Sequence, residues 1–166
     1  LIMGTRAGNI DAAAVVMLAK AKGMSLDDMS IYLNKKSGFL GVSGVSSDFR
    51  KLCEAIDNGN ERAKLAYDMF AYQIRKLIGS YAVAMGGLDA VVFTGGIGEN
   101  GARIRNSVAS DMEFLGIKLD KKLNESAPGG SFAEVSAKDS KVAVLVIPTN
   151  EELVIARETK EIVEAL

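Results

Sequence analysis

A glycine-rich segment is the first feature of this sequence whose residues could do chemistry. Gly96, Gly98 and Gly101 spell G-x-G-x-x-G shortly after the apolar run AVVF, from which two residues separate them, and before a helix-forming stretch. Many folds hold phosphate with a strand, a glycine turn and a helix, because free amides and the positive end of the helix dipole face the anion. The pattern leaves three hypotheses open: a dinucleotide site, the ATP-binding turn of a kinase, and a sharp strand-to-helix corner.

The dinucleotide hypothesis has one supporting residue and one difficulty. Asp120 follows Gly101 at close to the ~20-residue spacing of an acid that binds a ribose hydroxyl. The fingerprint normally opens the first β-α-β unit, however, and here four predicted helices precede it. Glu99 disfavours phosphate contact at its own side chain and suits a turn that lies along the base or ribose. NAD binding by a Rossmann-type domain stays as an alternative.

Several kinds of site are excluded by what the sequence lacks. It contains no histidine, so no Ser-His-Asp triad, Cys-His dyad or histidine metal site can form within its 166 residues. The single cysteine, Cys53, excludes an internal disulfide and suits a reducing cytosol. A net charge of −1 does not indicate a basic surface of the kind that binds nucleic acid or an anionic membrane. The densest basic group, Arg103 and Arg105, directly follows the glycine segment.

The elements that must position these groups are mainly helical in the first half of the chain. Ser25 and Asp28 open one helix in a capping-box-like arrangement, and Ser46 or Ser47 is the expected N-cap of the next. Residues 60–85 carry the strongest helical period, with a face predicted to be buried that consists of Ala66, Phe70, Ile74, Leu77, Ile78, Tyr81 and Met85. The predicted helices are 11–22, 25–37, 46–58 and 60–85, and residues 38–44 are predicted to form a flexible loop.

The second half of the chain contains the predicted strands. The run 88–94 is apolar enough to be covered on both faces of a sheet, and 141–148 is a second buried strand. The remaining predictions are a helix at 102–114, a short strand at 116–120, a surface loop at 121–131, an edge strand at 132–136 and a terminal helix at 149–166. The order predicts an α/β fold of single-domain size, with helices packed on a small mixed sheet whose remaining strands are expected before Leu1.

Four segments together resemble the acetate kinase family, which comprises acetate and propionate kinases. They are MGTRAGNID at 3–11, SSDFR at 46–50, VFTGGIGEN at 92–100 and IPTNEELVIARET at 147–159. The resemblance implies part of an actin-like ATPase (ribonuclease H-like) domain and reversible phosphoryl transfer from ATP to acetate with Mg²⁺. It also implies a cytoplasmic homodimer whose substrates are ATP and acetate or another short-chain carboxylate.

The resemblance assigns roles to individual positions. Arg6 matches the catalytic arginine that stabilises the transferring phosphoryl group, and Glu151 matches a glutamate associated with Mg²⁺. A structural role is enough to explain Glu152, because Thr149 and Glu152 spell a T-x-x-E capping box. The implied nucleotide-binding residues are Asp48, Phe49 and Arg50, the turn Gly96, Ile97, Gly98, Glu99 and Asn100, and Ile104 as a wall of the adenine slot.

Two departures from the family qualify this expectation. Ala7, Asn9 and Ala12 stand where the family commonly has Ser, Asp and Pro. The hydroxyl and the carboxylate missing at Ala7 and Asn9 are expected to loosen how the Arg6 guanidinium is held. The resemblance covers the C-terminal part of the enzyme only. The N-terminal domain, the first strands of this domain, the family's catalytic histidine, a second arginine and a second magnesium-side residue are expected to lie outside this chain. The fragment alone is therefore expected to be inactive, and a nucleotide-binding or self-associating module is the alternative.

Overall fold

The computed structural model describes residues 1–165, which form two compact units, Leu1–Tyr81 and the residues from Ala82 onward. The first unit is helical. Asp11 caps the first helix by accepting a hydrogen bond from the Ala14 amide at 3.0 Å, and the left-handed Gly23 ends it. Ser25 caps the second helix as predicted. The helices are α1 Ala12–Lys22, α2 Leu26–Lys35, α3 Gly38–Ser43, α4 Phe49–Asp57 and α5 Glu61–Met85, whose last four residues belong to the second unit.

Two local predictions in the first unit are wrong. Most of the predicted flexible loop 38–44 is the helix α3, because the Phe39 and Leu40 amides donate to the carbonyls of Met3 and Gly4 and Phe39 is buried. The N-cap of α4 is Asp48 instead of Ser46 or Ser47. Its carboxylate accepts from the Arg50 amide at 2.8 Å, which a serine at 46 or 47 is too far back to do.

Aromatic side chains form the core of the first unit. Phe39 meets Phe70 edge to face at a centroid distance of 5.1 Å, and Phe49 stacks on Tyr67 at 5.6 Å. These rings come from α3, α4 and α5, so the cluster joins three helices. The predicted buried face of α5 is confirmed at Ala66 and Phe70 and is only half-buried at Ile74, Leu77 and Ile78. It is wrong at its end, where Tyr81 and Met85 are 61% and 65% exposed.

The second unit contains the predicted small mixed sheet. Its strand order is β1-β3-β2, with β1 Ala90–Phe93 parallel to β3 Ala143–Val146 and β2 Ala133–Glu134 antiparallel to β3. The central strand β3 is the buried one, with Val144 and Val146 fully covered. The prediction that β1 is covered on both faces is wrong for this structure, where Val92 is 48% exposed in an edge strand.

The helices of the second unit depart from the sequence pattern in three places. They are α6 Gly95–Asn100, α7 Ala102–Ala109, α8 Lys121–Ser126 and α9 Glu151–Glu164, with a 3₁₀ turn at Glu113–Leu115. The glycine segment is therefore a short helix, and the predicted helix 102–114 ends early. The predicted loop 121–131 begins with α8, because Asp120 caps it. Residues 116–120 make two isolated bridges instead of a strand.

The predicted edge strand near 132–136 is confirmed, and the terminal helix is confirmed up to Glu164, with Leu166 outside the described residues. None of the helices formed by the described residues is long and apolar enough to cross a membrane.

Candidate functional site

A cleft of about 550 Å³ opens in the second unit where β1 and β3 end. These two strands are parallel, so the segments that follow their carboxyl ends meet at one edge of the sheet, as in other open α/β sheets that bind ligands there. Three short segments contribute its walls. The lining residues are Gly95, Gly96 and Glu99 after β1, Gly130 from the loop after α8, and Pro148, Thr149, Asn150, Glu151 and Glu152 after β3.

A contact between Glu99 and Thr149 joins the two segments that follow the strands. One carboxylate oxygen of Glu99 accepts hydrogen bonds from the Thr149 amide at 2.9 Å and from its hydroxyl at 3.1 Å. The Thr149 hydroxyl oxygen in turn accepts from the Gly95 amide at 3.1 Å and lies 2.8 Å from the Thr94 hydroxyl. Thr149 thus joins the segment that follows β3 to the segment that follows β1. The carboxylate of Glu99 is hydrogen-bonded to Thr149 and does not face a phosphate.

The capping box predicted at Thr149 and Glu152 is wrong. The N-cap of α9 is Asn150, whose side-chain oxygen accepts from the Leu153 amide at 3.0 Å. Thr149 is drawn away from the helix by its bonds to Glu99 and Gly95, so it cannot serve as the cap. Pattern alone does not reveal this, since the partners of Thr149 lie 50 and 54 residues earlier in the chain.

The Glu99–Thr149 contact depends on pH. The Thr149 amide, and secondarily its hydroxyl and the Gly95 amide, lower the pKa of Glu99 from its ordinary value. A lowered pKa means that the contact is fully present above the ordinary glutamate pKa and is lost as pH falls through the lower folded value. We expect the NMR signal of the Thr149 amide proton to move upfield in acid, with a midpoint below the ordinary glutamate pKa.

Glu99→Gln is the matched control for this titration. It keeps an acceptor oxygen and removes the ionisation, so the Thr149 amide signal should no longer titrate in that range. A midpoint in the wild-type chain at or above the ordinary glutamate value would contradict the geometry.

Close approaches explain two glycines beside α6. A Cβ at Gly101 would lie 2.5 Å from the Ile97 carbonyl oxygen, and one at Gly129 would lie 2.2 Å from the side-chain oxygen of Asn100. Around Gly95 and Gly96, by contrast, nothing lies within 4 Å of the position that a Cβ would take. These two glycines therefore present open backbone to the cleft, which a bound molecule can approach closely.

The other residues that are predicted to bind adenosine differ in their surroundings. Asn100 donates from its side chain to the Gly96 carbonyl at 3.0 Å, which closes α6 on itself. Ile97 and Gly98 belong to the same helix but do not line the cleft. Ile104 is 2% exposed and packs in the core of the second unit, so its predicted role as a wall of the adenine slot stays a prediction.

Two carboxylates at the start of α9 face the cleft. The side chains of Glu151 and Glu152 are both exposed, and neither carboxylate makes a hydrogen bond or ion pair with any described residue. The family resemblance assigns magnesium to Glu151, and the capping box that would explain Glu152 without a function does not form in the structure. No three acidic, cysteine or histidine side chains among residues 1–165 cluster tightly enough to hold a metal ion by themselves. A magnesium ion suits one or two carboxylates when water and phosphate complete its ligands.

The second predicted nucleotide segment lies in the first unit. Asp48 receives the Arg50 guanidinium on both carboxylate oxygens, at 2.7 and 3.2 Å, in addition to the Arg50 amide. The Arg50 side chain, followed by its amide, lowers the pKa of Asp48 to about 2. Phe49 is half-buried in the aromatic cluster. Each of these residues thus has a structural task, and their contact with nucleotide stays a prediction.

Arg6 lies in the first unit on a loop that is held at several points. The Thr5 carbonyl accepts from the Ser37 amide and the Ala7 amide donates to the Leu33 carbonyl, both at 2.9 Å. The guanidinium of Arg6 itself is exposed and has no hydrogen-bond or ion-pair partner among the described residues. A cation without a partner on an anchored backbone is available for an anionic ligand.

One functional candidate was missed by sequence reasoning. Arg105 is 1% exposed and donates to the carbonyls of Gly98 and Glu99, both at 2.8 Å. Its position two residues after Arg103 made it part of a basic group near the glycine segment, but no local pattern distinguishes a buried arginine from an exposed one. Asp120, the acid of the dinucleotide hypothesis, caps α8 through the Lys122 and Leu123 amides.

Comparison with known proteins identifies the family. The model of the acetokinase family matches residues 1–157. The acetate kinase of Acetivibrio thermocellus is 54% identical over 166 residues, which is all of this chain and 41% of that protein. The crystal structure of Porphyromonas gingivalis acetate kinase has a TM-score of 0.91 at 50% identity, over 98% of this chain and 41% of that one. A propionate kinase from Francisella tularensis has a TM-score of 0.86 at 39% identity, over 95% and 40%.

These matches confirm the predicted fold class, an α/β portion of an actin-like ATPase fold with helices on a small mixed sheet. They leave the dinucleotide hypothesis without support, since its acid is a helix cap and its glycines form α6. The chain spans about two fifths of the length of the relatives that it matches. The four motifs, the cleft after the parallel strands and these similarities lead to one conclusion: the chain belongs to the acetokinase family.

Proposed function

We propose that this chain is the nucleotide-holding part of a phosphotransferase that moves the terminal phosphoryl group of ATP to acetate, reversibly, giving ADP and acetyl phosphate. The observation that carries the proposal is a cleft lined by open glycine backbone and by two carboxylates that have no partner within residues 1–165. Family membership and the names of the similar kinases support the same reaction. Because those names include a propionate kinase, the acceptor is proposed as acetate or another short-chain carboxylate.

The cleft residues would bind and orient the nucleotide. Backbone at Gly95 and Gly96 can approach the base or sugar closely, because no side chain occupies that space. Thr149, held by Glu99, fixes the spacing between α6 and the start of α9. The nucleotide would therefore meet a surface whose two sides are already tied together, which lowers the entropy cost of binding.

Glu151 and Glu152 fit a magnesium ion bound with the nucleotide. Their carboxylates are exposed and have no described partner, which suits an ion that keeps several waters and takes other ligands from phosphate. When bound, magnesium supplies positive charge that offsets the charge of the phosphate oxygens. The proposed task of Arg6 is similar, since a guanidinium can donate two parallel hydrogen bonds to the equatorial oxygens of the transferring group.

A substitution at Glu151 tests the assignment of the metal. We expect Glu151→Gln to raise the magnesium concentration needed for half-maximal ADP binding by about tenfold or more, because an amide oxygen is a weaker ligand than a carboxylate. Glu152→Gln is the matched comparison, one residue away on the same helix turn, and should have a clearly smaller effect because the family resemblance assigns magnesium to Glu151. Isothermal titration of the chain with ADP at several magnesium concentrations measures both. An equal or larger effect at Glu152 would move the assignment to that residue.

The proposed function itself is tested with two proteins. One is the 166-residue chain, and the other is a hybrid enzyme in which this chain replaces the matching 41% of Acetivibrio thermocellus acetate kinase. We expect the chain alone to bind Mg-ADP and to form no acetyl phosphate in a hydroxamate assay, and the hybrid enzyme to form it from ATP and acetate. Propionate is tested alongside.

Each other outcome has a definite meaning. Turnover by the chain alone would show that the groups expected outside it are dispensable. An inactive hybrid enzyme together with retained ADP binding would favour a nucleotide-binding module without catalysis. Absence of ADP binding in a folded chain would overturn the proposed role of the cleft.

We also propose that the protein pairs as a homodimer, as the family resemblance implies. Apolar side chains on α9 are consistent with a partner, since Val154, Ile155, Ile162 and Val163 are each more than half exposed. This proposal is independent of the cleft.

A further inference from the structure

A buried arginine lies directly against the glycine helix α6. Arg105 of α7 is 1% exposed, and its guanidinium makes four hydrogen bonds to uncharged oxygens. One terminal nitrogen donates to the carbonyls of Gly98 and Glu99, both at 2.8 Å. Nε donates to the side-chain oxygen of Asn124 at 2.6 Å, and the other terminal nitrogen donates to its backbone carbonyl at 2.9 Å. None of these four acceptor oxygens belongs to a carboxylate.

Such an arrangement is unusual for an arginine. Arginine is seldom fully buried without a carboxylate, and burial here lowers the pKa of Arg105 although an arginine side chain stays protonated. Removing the charge from water is costly, and an apolar side chain of similar volume would fill the space with no such cost. The charge-assisted hydrogen bonds offset this cost only because each of the three guanidinium nitrogens has an acceptor. Stability alone is therefore a poor reason for an arginine at this position.

Asn124 completes the arrangement from the other side. It is 1% exposed, accepts from Arg105 at two atoms, and donates from its side chain to the Ala102 carbonyl at 2.8 Å. The pair thus connects the end of α6, the start of α7 and α8. Because α6 has only six residues, it is too short to be stable as an isolated helix and depends on such contacts.

The contacts continue from Arg105 to the cleft. The carbonyl of Glu99 is held by Arg105, while the carboxylate of the same residue holds Thr149 beside Gly95. Thr149 immediately precedes Asn150, the cap of α9, and the exposed Glu151. A change in the backbone at Glu99 would therefore alter the spacing between the two walls of the cleft.

We infer that Arg105 is a positioning residue for nucleotide binding, which fixes the backbone of Gly98 and Glu99 so that the cleft has the shape that a nucleoside diphosphate needs. The inference rests on the proposed function, since it takes the cleft to be the nucleotide site. Arg105 acts through the backbone and need not touch the ligand.

Three variants of the full 166-residue chain test the inference. Arg105→Met keeps the length of the side chain and removes every donor. Arg105→Lys keeps the charge and can still donate to the carbonyls, but an ammonium cannot also reproduce the planar fork that reaches Asn124. Arg62→Met is the matched control, because Arg62 also donates from Nε to a backbone carbonyl, that of Val42 at 2.9 Å, in the first unit.

Two measurements distinguish positioning from a merely structural role. The Kd for Mg-ADP is measured at a temperature well below the unfolding midpoint of each variant, where circular dichroism shows the native helix content. Hydrogen exchange of a peptide covering residues 94–101 reports the order of α6. We expect Arg105→Met to raise the Kd by at least tenfold and to speed exchange in that peptide, Arg105→Lys to recover part of the affinity, and Arg62→Met to change neither.

The outcomes separate this inference from the proposed function. If the wild-type chain does not bind Mg-ADP, the proposed function fails. If the wild-type chain binds and folded Arg105→Met binds within twofold as tightly, or if Arg105→Lys recovers nothing while its α6 exchange is normal, the positioning role is wrong.

Discussion

Replacing Arg6 by alanine is expected to lower acetyl phosphate formation by the hybrid enzyme by roughly 10³–10⁵-fold, the range found for arginines that stabilise a transferring phosphoryl group. The structure supports a large effect, because the guanidinium is exposed, lacks a partner among the described residues and sits on a loop held to α2 and to Ser37. An interaction made only in the transition state should lower kcat and leave the KM for ATP nearly unchanged.

Arg62→Ala is the control for this prediction, because it removes an exposed arginine of the same unit that is not assigned to the site. The stability of the Arg6→Ala chain should equal that of the wild type, since no described contact of the side chain is lost. A loss of less than tenfold in kcat would show that Arg6 is an ordinary surface residue. Arg6→Lys should remain severely impaired, because an ammonium cannot donate two parallel hydrogen bonds.

Replacing Gly38 by alanine is expected to destabilise the first unit by about 2–5 kcal/mol. Gly38 has a φ of 63°, and a Cβ there would lie 2.0 Å from the Met3 carbonyl oxygen and 2.8 Å from that of Arg6. The backbone that carries Arg6 would have to move, so the substitution should also lower the activity of the hybrid enzyme.

The four tyrosines, at positions 32, 67, 72 and 81, all belong to the first unit, and the chain has no tryptophan. Tyrosine fluorescence during thermal unfolding therefore reports on the first unit alone. A loss of 1 kcal/mol corresponds to a fall of about 4–8 °C in the midpoint for a unit of the size of Leu1–Tyr81.

Gly44→Ala is the matched control for Gly38→Ala. Gly44 has a φ of 70° and likewise ends or begins a helix, but nothing lies within 4 Å of the position of its Cβ. Its substitution should cost only the strain of the left-handed conformation, about 1–2 kcal/mol. Equal midpoints for the two variants would show that the overlap with the Met3 carbonyl relaxes freely.

Local patterns in the sequence were sufficient for most of the elements. The 3.6-residue period of α5, the Ser25 cap of α2 and the apolar run of β3 each lie within a few consecutive residues, so they are readable without tertiary information. Prediction failed where the hydrogen-bond partners of a segment lie far away in the sequence. Residues 38–43 have no strong helical period, and they become helical because the chain near Met3 accepts from their first amides.

The candidate site shows the same division. Motif resemblance predicts that the glycine segment and Glu151 belong to the site, because a family motif is a run of consecutive residues. It could not show that Glu99 is engaged by Thr149 or that Ile104 is buried, since both facts depend on contacts or packing in the folded chain.

The sequence by itself determined the family and the α/β class, and it predicts the residues of a nucleotide site. Only the tertiary structure decided which side chains already have partners: Glu99 holds Thr149, Arg105 is buried beneath α6, and the Glu151 carboxylate has no partner among residues 1–165. The physical reason is that a hydrogen bond depends on distances of about 3 Å between atoms. Residues 50 apart in the chain reach those distances only after the sheet has brought the ends of β1 and β3 side by side.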